Sequence, residues 1–502
     1  MRCGLYASST LSNTNEELTA YPYPHHLHTR KMTIKMAFFI LLTWIFLAVL
    51  TPPCATTGNP QTRDFYREFE EDWCRERRAR MDWRSMLSSC PGRARQWGVE
   101  MWPEWAGTAS NYSYISWIDP KPLGHYTKIH IQTVSQTNRS KLIGGDSWRA
   151  VVHGPAGVPV PIYDLGNGTY EMAILFHEPG VYSIRLYLDY TLCHGLKNPP
   201  YDWFKRGCRH GSFQPEGSLG SIKDYLQQPF MQGAVINVTL SETDSTARDK
   251  QALLVLMDDS RRSCSQNCTL LWDGYGRWLG NDWVPFLNDP SPPRSGHTAG
   301  TGILWVYGDS INRLLYESIQ AKPLCTQVFR SCYYSPVWVY SWKHTPAVEM
   351  DLRYGGYDLN ITKVLEELRS VAKEPAMDQD SALLINTGIH LLKSTTFRNY
   401  QKIIKGMIRV LKKSFRGRVV WKTITALGKQ THLYTGCVRR FHTEQRIQLF
   451  NAYAMKKMCE AGYAVLDVYP ISHAYPEGTN DGVHYNAHAF YPAESALYTY
   501  FT

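Results

Sequence analysis

The stretch LWVYGDSINRLLYES, residues 304–318, decides how the chain is read. Four apolar residues run into Gly308-Asp309-Ser310, and an amphipathic pattern follows. That order spells a strand, a tight turn and a helix. In open α/β sheets, ligands bind at the carboxyl ends of the strands, which is where Ser310 stands. A helix N-terminus also stabilises negative charge beside it. Ser310 is therefore either the helix N-cap or a nucleophile whose alkoxide that end of the helix favours.

A nucleophile needs a base and a group to orient it. Near the C-terminus, GTNDGVHYNAHAF (478–490) holds Asp481 and His484. Side chains three residues apart on a helix or tight turn face one side. Asp481 can then accept from one imidazole nitrogen while the other faces the serine. His488 is the competing histidine. Between Ser310 and this pair the pattern alternates. Strands are expected at 302–308, 348–356, 382–388, 418–426 and 463–469. Helices are expected at 311–320, 362–372, 397–415 and 444–462. Such alternation implies a mostly parallel sheet with helices on both faces.

Upstream the pattern changes. Alternating runs at 112–118, 126–134, 148–154, 169–176, 181–188 and 234–240 are separated by turn signals such as Pro179-Gly180. Short strands at such spacing argue a β-sandwich. The chain thus divides into a polar tail (1–35), an apolar segment (36–55), a partly helical lumenal stem (56–104), a sandwich (105–245) and an α/β domain (260–502). A length of 502 residues accommodates these parts.

The apolar run from Met36 to about Pro52 follows Arg30, Lys31 and Lys35, so it reads as a signal anchor or a cleaved signal peptide. The positive flank directs the rest of the chain to the lumen or the outside. Six Asn-X-Ser/Thr sequons, at Asn111, Asn138, Asn167, Asn237, Asn267 and Asn360, all follow the run. Ten of the 12 cysteines also lie well beyond it, as an oxidising compartment with disulfides would have it. The local guesses are Cys193 with Cys208 and Cys325 with Cys332. The formal charge of +10 fits acidic glycans or a phosphate-bearing donor, or simply solvated helix faces. No zinc-finger or RNA-binding spacing is present, so no nucleic-acid partner is expected. The sequence indicates no metal site and no oligomeric state.

Two resemblances add to this. DLGNGTYEMAILFHEPGVYSIRLYL (164–188) is similar to the signature hairpin of filamin-type immunoglobulin-like domains. Gly308-Asp309-Ser310 with Arg313, then Asn386-Thr387-Gly388, then Asp481-Gly482-Val483-His484 resemble the motifs of the SGNH (GDSL-like) hydrolase superfamily. They are most similar to its PC-esterase branch, which includes the neurexophilin and PC-esterase domain (NXPE) proteins. The tract CTLLWDGYGRWLGNDWVP (268–285) is similar to that branch's lead-in. The resemblance implies a three-layer SGNH-type α/β domain after an immunoglobulin/filamin-like β-sandwich.

It also implies roles. Ser310 is the nucleophile, His484 the base and Asp481 its orienter. The oxyanion hole uses the Ser310 N–H, an N–H of Gly355 or Gly356, and the Asn386 side chain, such donors contributing about 2.7–4 kcal/mol each. Asp309, Arg313 and Gly388 support the site. The superfamily's usual Gly-X-Asn-Asp block is altered, with Ile385 before Asn386 and Thr387 after it. The implied activity is acetyl transfer from acetyl-CoA, as donor and not as bound cofactor, to a glycan hydroxyl such as that of sialic acid. It takes place in the Golgi, behind a type II membrane anchor, or in a secreted protein. A glycan O-acetylesterase is one alternative, and a non-catalytic secreted neurexophilin-like binding protein is the other.

Overall fold

The structure, a computed structural model, describes residues 60–199, 225–241, 268–272, 275–286, 292–337, 360–428 and 440–502. The expected tail and apolar segment, the strand at 348–356, Gly355, Gly356 and Asn267 lie outside these. Among the described residues no helix is long and apolar enough to cross a membrane. Residues 61–502 form one compact unit.

Helix α1 (Pro60–Ala79) comes first. Phe69 and Trp73, one turn apart, pack on Tyr126, Ala173 and Leu175 of the first sheet and on Tyr275 and Phe286 beyond it. Lys128 holds Asp72 at 2.8 Å, and Arg75 pairs with Glu171. The segment expected as a stem is thus docked on the sandwich.

The next strands are β1 (Tyr114–Asp119), β2 (Tyr126–Gln132), β3 (Ser147–His153), β4 (Ile162–Asp164), β5 (Thr169–Leu175), β6 (Gly180–Tyr190), β7 (Gln228–Pro229) and β8 (Val235–Leu240). They form two antiparallel sheets, β1-β2-β5-β4 and β3-β6-β7 with β8 on β6. Inward residues of both, including Ile129, Ile131, Met172, Ile174, Ile184, Leu186 and Val238, make one core. Segment 164–188 is not a single hairpin. Its first turn joins β4 to β5 in one sheet, and Gly180, at φ +135°, opens β6 in the other.

After β9 (Leu270–Trp272) and the hairpin β10 (Gly276–Leu279) and β11 (Asp282–Pro285), the chain builds the α/β part. It comprises β12 (Thr301–Gly308), α2 (Ser310–Ile319), β13 (Phe329–Pro336), α3 (Ile361–Ala372), β14 (Ala382–Ile385), α4 (His390–Ser394), α5 (Phe397–Ser414), β15 (Arg418–Lys422), α6 (Glu444–Glu460), β16 (Ala464–Leu466), α7 (Tyr469–His473) and α8 (Tyr491–Phe501). Six parallel strands stand in the order β13-β12-β14-β15-β16-β9. Ala382 to Ile385 are all buried, as a sheet covered on both faces requires. The order reverses at β12: the chain goes out to β13 and returns across to β14. Right-handed crossovers therefore put α2 on one face and α3, α5 and α6 on the other. Ligand crevices form at such a reversal, and Ser310 follows β12 there. The edge strands β13 and β9 were not expected. β13 is polar and half-exposed, and β9 is only three residues long.

Three disulfides are described, as fits a secreted or lumenal protein: Cys90–Cys193, Cys268–Cys459 and Cys325–Cys332. The last was expected. Cys193 does not pair with Cys208. The 3₁₀ turn at Ser85–Leu87 brings Cys90 to the end of the sandwich, where Gly145 leaves room for both sulfurs. Loop-closure entropy rises slowly with length, so chain separation does not forbid the longer link. Asn111, Asn138, Asn167, Asn237 and Asn360 are all exposed.

One buried side chain fastens sandwich to α/β part. Arg446 of α6 donates to the carbonyls of Leu392 at 2.8 Å, Thr395 at 3.0 Å and Lys197 at 3.0 Å, and to Asn198 Oδ1 at 3.3 Å. Lys197 and Asn198 follow β6. Arg446→Met leaves the carbonyls of Leu392, Thr395 and Lys197 without that donor, each costing about 1–3 kcal/mol, while Asn198 Oδ1 keeps its bond from Phe397 N–H at 2.9 Å. Urea unfolding is expected to show a loss of at least about 3 kcal/mol; a loss under about 1 kcal/mol contradicts this.

Candidate active site

The turn after β12 settles what caps α2. Asp309, not Ser310, is the N-cap: its Oδ1 accepts from the N–H of Ile311 at 3.0 Å and of Asn312 at 3.4 Å. Its Oδ2 accepts from Ile389 N–H at 2.8 Å. The carboxylate is buried and ties the loop after β12 to the loop after β14. Gly388 makes this approach available. Its φ is +73°, and a Cβ there would stand 2.5 Å from Asp309 Oδ2. Gly308 has a parallel role, since a Cβ there would meet Asn312 Nδ2 at 2.4 Å. With the cap made by Asp309, the Ser310 hydroxyl is released from that task.

The hydroxyl faces His484. Ser310 Oγ and His484 Nε2 lie 2.8 Å apart, and His484 Nδ1 is 2.8 Å from Asp481 Oδ2. Asp481 Oδ1 also accepts from the backbone N–H of Val483 at 2.9 Å and His484 at 2.8 Å. Burial raises the Asp481 pKa, but these bonds outweigh it and hold the carboxyl below its ordinary range. The turn is itself anchored. Tyr485 donates to Ala426 O at 2.9 Å, and Gly428 N–H to Gly482 O at 3.1 Å. Ser310, His484 and Asp481 are all half-buried, so the triad opens to solvent. His488 is exposed, beside Tyr491, and is not the base.

Other expected residues stand elsewhere. Asn386 is buried and gives Nδ2 to Lys422 O at 2.8 Å, so it braces β15. Arg313 lies on the exposed side of α2, 3.4 Å from Glu317. Gly355 and Gly356 fall outside the described residues. A cavity of ≈ 510 Å³ lies between sandwich and α/β part, lined in part by Trp148, Tyr163 and Tyr469; no triad residue lines it.

Three neighbours escaped the sequence reading. Tyr334, on the edge strand β13, donates to the carbonyls of Gly308 and Asp309, each at 3.3 Å, and burial pushes its pKa up to about 12. His390 opens α4, two residues past Gly388. Burial lowers it to about 4, against the pull of Asp309, so it is neutral at pH 7. Lys422 ends β15 with its side chain wholly enclosed. Burial lowers it to about 8, and Asp309 opposes the shift. His390 lies two residues past the Asn386-Thr387-Gly388 motif, whereas nothing in RVVWK marks its lysine as buried.

In comparisons with known proteins, no family model and no curated protein matches this chain. Among solved structures, the Lin-41 filamin domain is similar at 13% identity over 27% of this chain and 99% of that one, with a TM-score of 0.18.

Lys422 makes stability depend on alkaline pH. Its folded pKa, about 8, lies below its unfolded one, near 10.5, so between these values the unfolded chain binds more protons. Stability therefore rises with pH across that window, by about 3 kcal/mol for this group. Urea unfolding at pH 7.5 and 10 should show this rise in wild type relative to Lys422→Met. Equal slopes for the two proteins contradict it.

Proposed function

We propose that this chain transfers acyl groups through an acyl-enzyme on Ser310, in an SGNH-type domain that follows a filamin-like sandwich. The observation that carries this reading is the unbroken relay from Asp481 through His484 to Ser310, set at the N-terminus of α2 beside the reversal of strand order. His484 removes the Ser310 proton as Oγ attacks the acyl carbonyl. The Ser310 N–H, at the first helical residue, has no intrahelical acceptor and is the donor this reading assigns to the oxyanion. Collapse of the tetrahedral intermediate breaks the bond to the leaving group, which takes the proton from His484. A second hydroxyl, activated by His484, then attacks the acyl-serine and regenerates the enzyme.

The resemblance to NXPE and PC-esterase proteins supports acetyl as the group, acetyl-CoA as donor and a glycan hydroxyl, such as that of sialic acid, as acceptor. The disulfides and exposed sequons support a lumenal or secreted setting; Golgi retention by a type II anchor is part of the proposal.

The test uses the secreted form and its Ser310→Ala variant with acetyl-CoA and free or pre-acetylated glycans, read by mass spectrometry. Ser310-dependent acetyl gain is the expected result, with Ser310→Ala reduced at least about 10³-fold. Ser310-dependent acetyl loss identifies an esterase instead. Acetyl traffic equal in both proteins sinks the triad. A protein inert towards every arm that keeps its biological effect in Ser310→Ala is the non-catalytic binding protein.

A further inference from the structure

A row of buried polar side chains runs beneath the nucleophile turn. Tyr307 pairs with Ile385, and Ile385 with Trp421. The next residues, Gly308, Asn386 and Lys422, therefore stand level across the sheet, and level residues of a parallel sheet project to one face. Asn312 of α2 fills the space over Gly308. Both carboxamide nitrogens are bonded to backbone: Asn312 Nδ2 to Tyr307 O at 3.3 Å, Asn386 Nδ2 to Lys422 O at 2.8 Å. Both carboxamide oxygens are buried and accept nothing. Lys422 Nζ, a threefold donor, makes a long bond of 3.4 Å to Thr423 O. Two unfilled acceptors and a donor-rich cation in one buried row are complementary, and a single water can complete such a set.

We propose that Lys422 is a positioning residue for Ser310: its ammonium holds the Asn386 and Asn312 oxygens through one buried water, and offsets the Asp309 carboxylate beside the developing oxyanion. This rests on the reading of Ser310 as nucleophile. The need for a countercharge follows from the turn itself. Asp309 brings a buried negative charge next to the place where a second one forms, and low-dielectric surroundings magnify that repulsion. A protonated Lys422 cancels much of it; a neutral amine does not. Burial lowers Lys422 to about 8, so the charge is lost within a readily tested range.

The other charged groups near the row are accounted for. Asp309, the N-cap of α2, acts on Lys422 directly. His390 on α4 interacts with Asp309 and with His484 from the C-terminal turn. Asp481 is bonded to His484. Asp467, next to β16, accepts from Thr423 Oγ1 at 2.9 Å and Arg80 at 2.9 Å.

Two measurements on wild type, Lys422→Met and Ser310→Ala test the proposal. In lysine labelled with ¹³C at Cε, the NMR resonance missing from Lys422→Met should titrate near pH 8; titration at 10 or above overturns the proposal. A fluorophosphonate probe forms a Ser310 Oγ–P bond and expels fluoride, with the serine proton passing to His484. Its labelling rate in wild type should fall about tenfold or more between pH 7 and 9.5 as the ammonium is lost. Lys422→Met should react more slowly at pH 7 and lack that fall. Parallel pH profiles overturn the role of Lys422 while leaving the nucleophile intact. Labelling that does not depend on Ser310 removes the nucleophile reading, and the proposal with it, whatever the NMR titration gives.

Discussion

The Asp309 carboxylate is the constraint on which the site depends. It accepts from three backbone N–H groups, two opening α2 and one beyond β14. An N-cap of this kind is worth about 1 kcal/mol in ordinary helices. Here it also fixes the distance between two loops that the sheet alone would leave adjustable. Gly388 must be a glycine for the loops to approach, and Tyr334 binds the same turn from the other side. Because Asp309 satisfies the helix end, the neighbouring serine keeps its hydroxyl for His484. Adjacent residues divide the labour: Asp309 caps the helix, and the Ser310 hydroxyl meets His484 Nε2 at 2.8 Å.

The scaffold places that turn by topology. Reversal of strand order at β12 opens the crevice, and the C-terminal turn carrying Asp481 and His484 is pinned to the segment after β15 through Ala426 and Gly428. The sandwich is not an appendage. Arg446 donates to carbonyls on both parts, and the backbone of Gly157, between β3 and β4, exchanges two hydrogen bonds with that of Trp278, at 2.9 and 2.8 Å. The end of β15 is enclosed by the surrounding elements, and Lys422 is held there away from solvent.

Much of this was legible in the chain. Strands around 304, 384 and 420 are short apolar runs between turn signals, and the long amphipathic helices read directly. The Asp-X-X-His spacing announced a turn because the chemistry acts within four residues. What escaped depends on tertiary context. FRSCYYSP has no clean alternation, so nothing in the sequence marks β13 or its Tyr334. A lysine closing a β-run reads as solvated, and only the lateral register with Asn386 shows it enclosed. Asn386 and Arg313 carry the expected letters but face β15 and solvent, because orientation is set by packing and not by motif. The link from Cys90 to Cys193 joins segments whose proximity only the docked α1 region creates.

The central claim is that the Asp481–His484–Ser310 relay makes an acyl-enzyme. The most direct measurement is acid-quenched mass spectrometry after brief exposure of wild type and Asp481→Asn to a chromogenic acetate ester. The account predicts an acetyl group on the peptide bearing Ser310 in wild type, formed on the order of 10³–10⁴-fold more slowly in Asp481→Asn, where the imidazole tautomer is no longer held. Acetylation scattered over surface lysines, with Ser310 unmodified or with both proteins reacting alike, would contradict it.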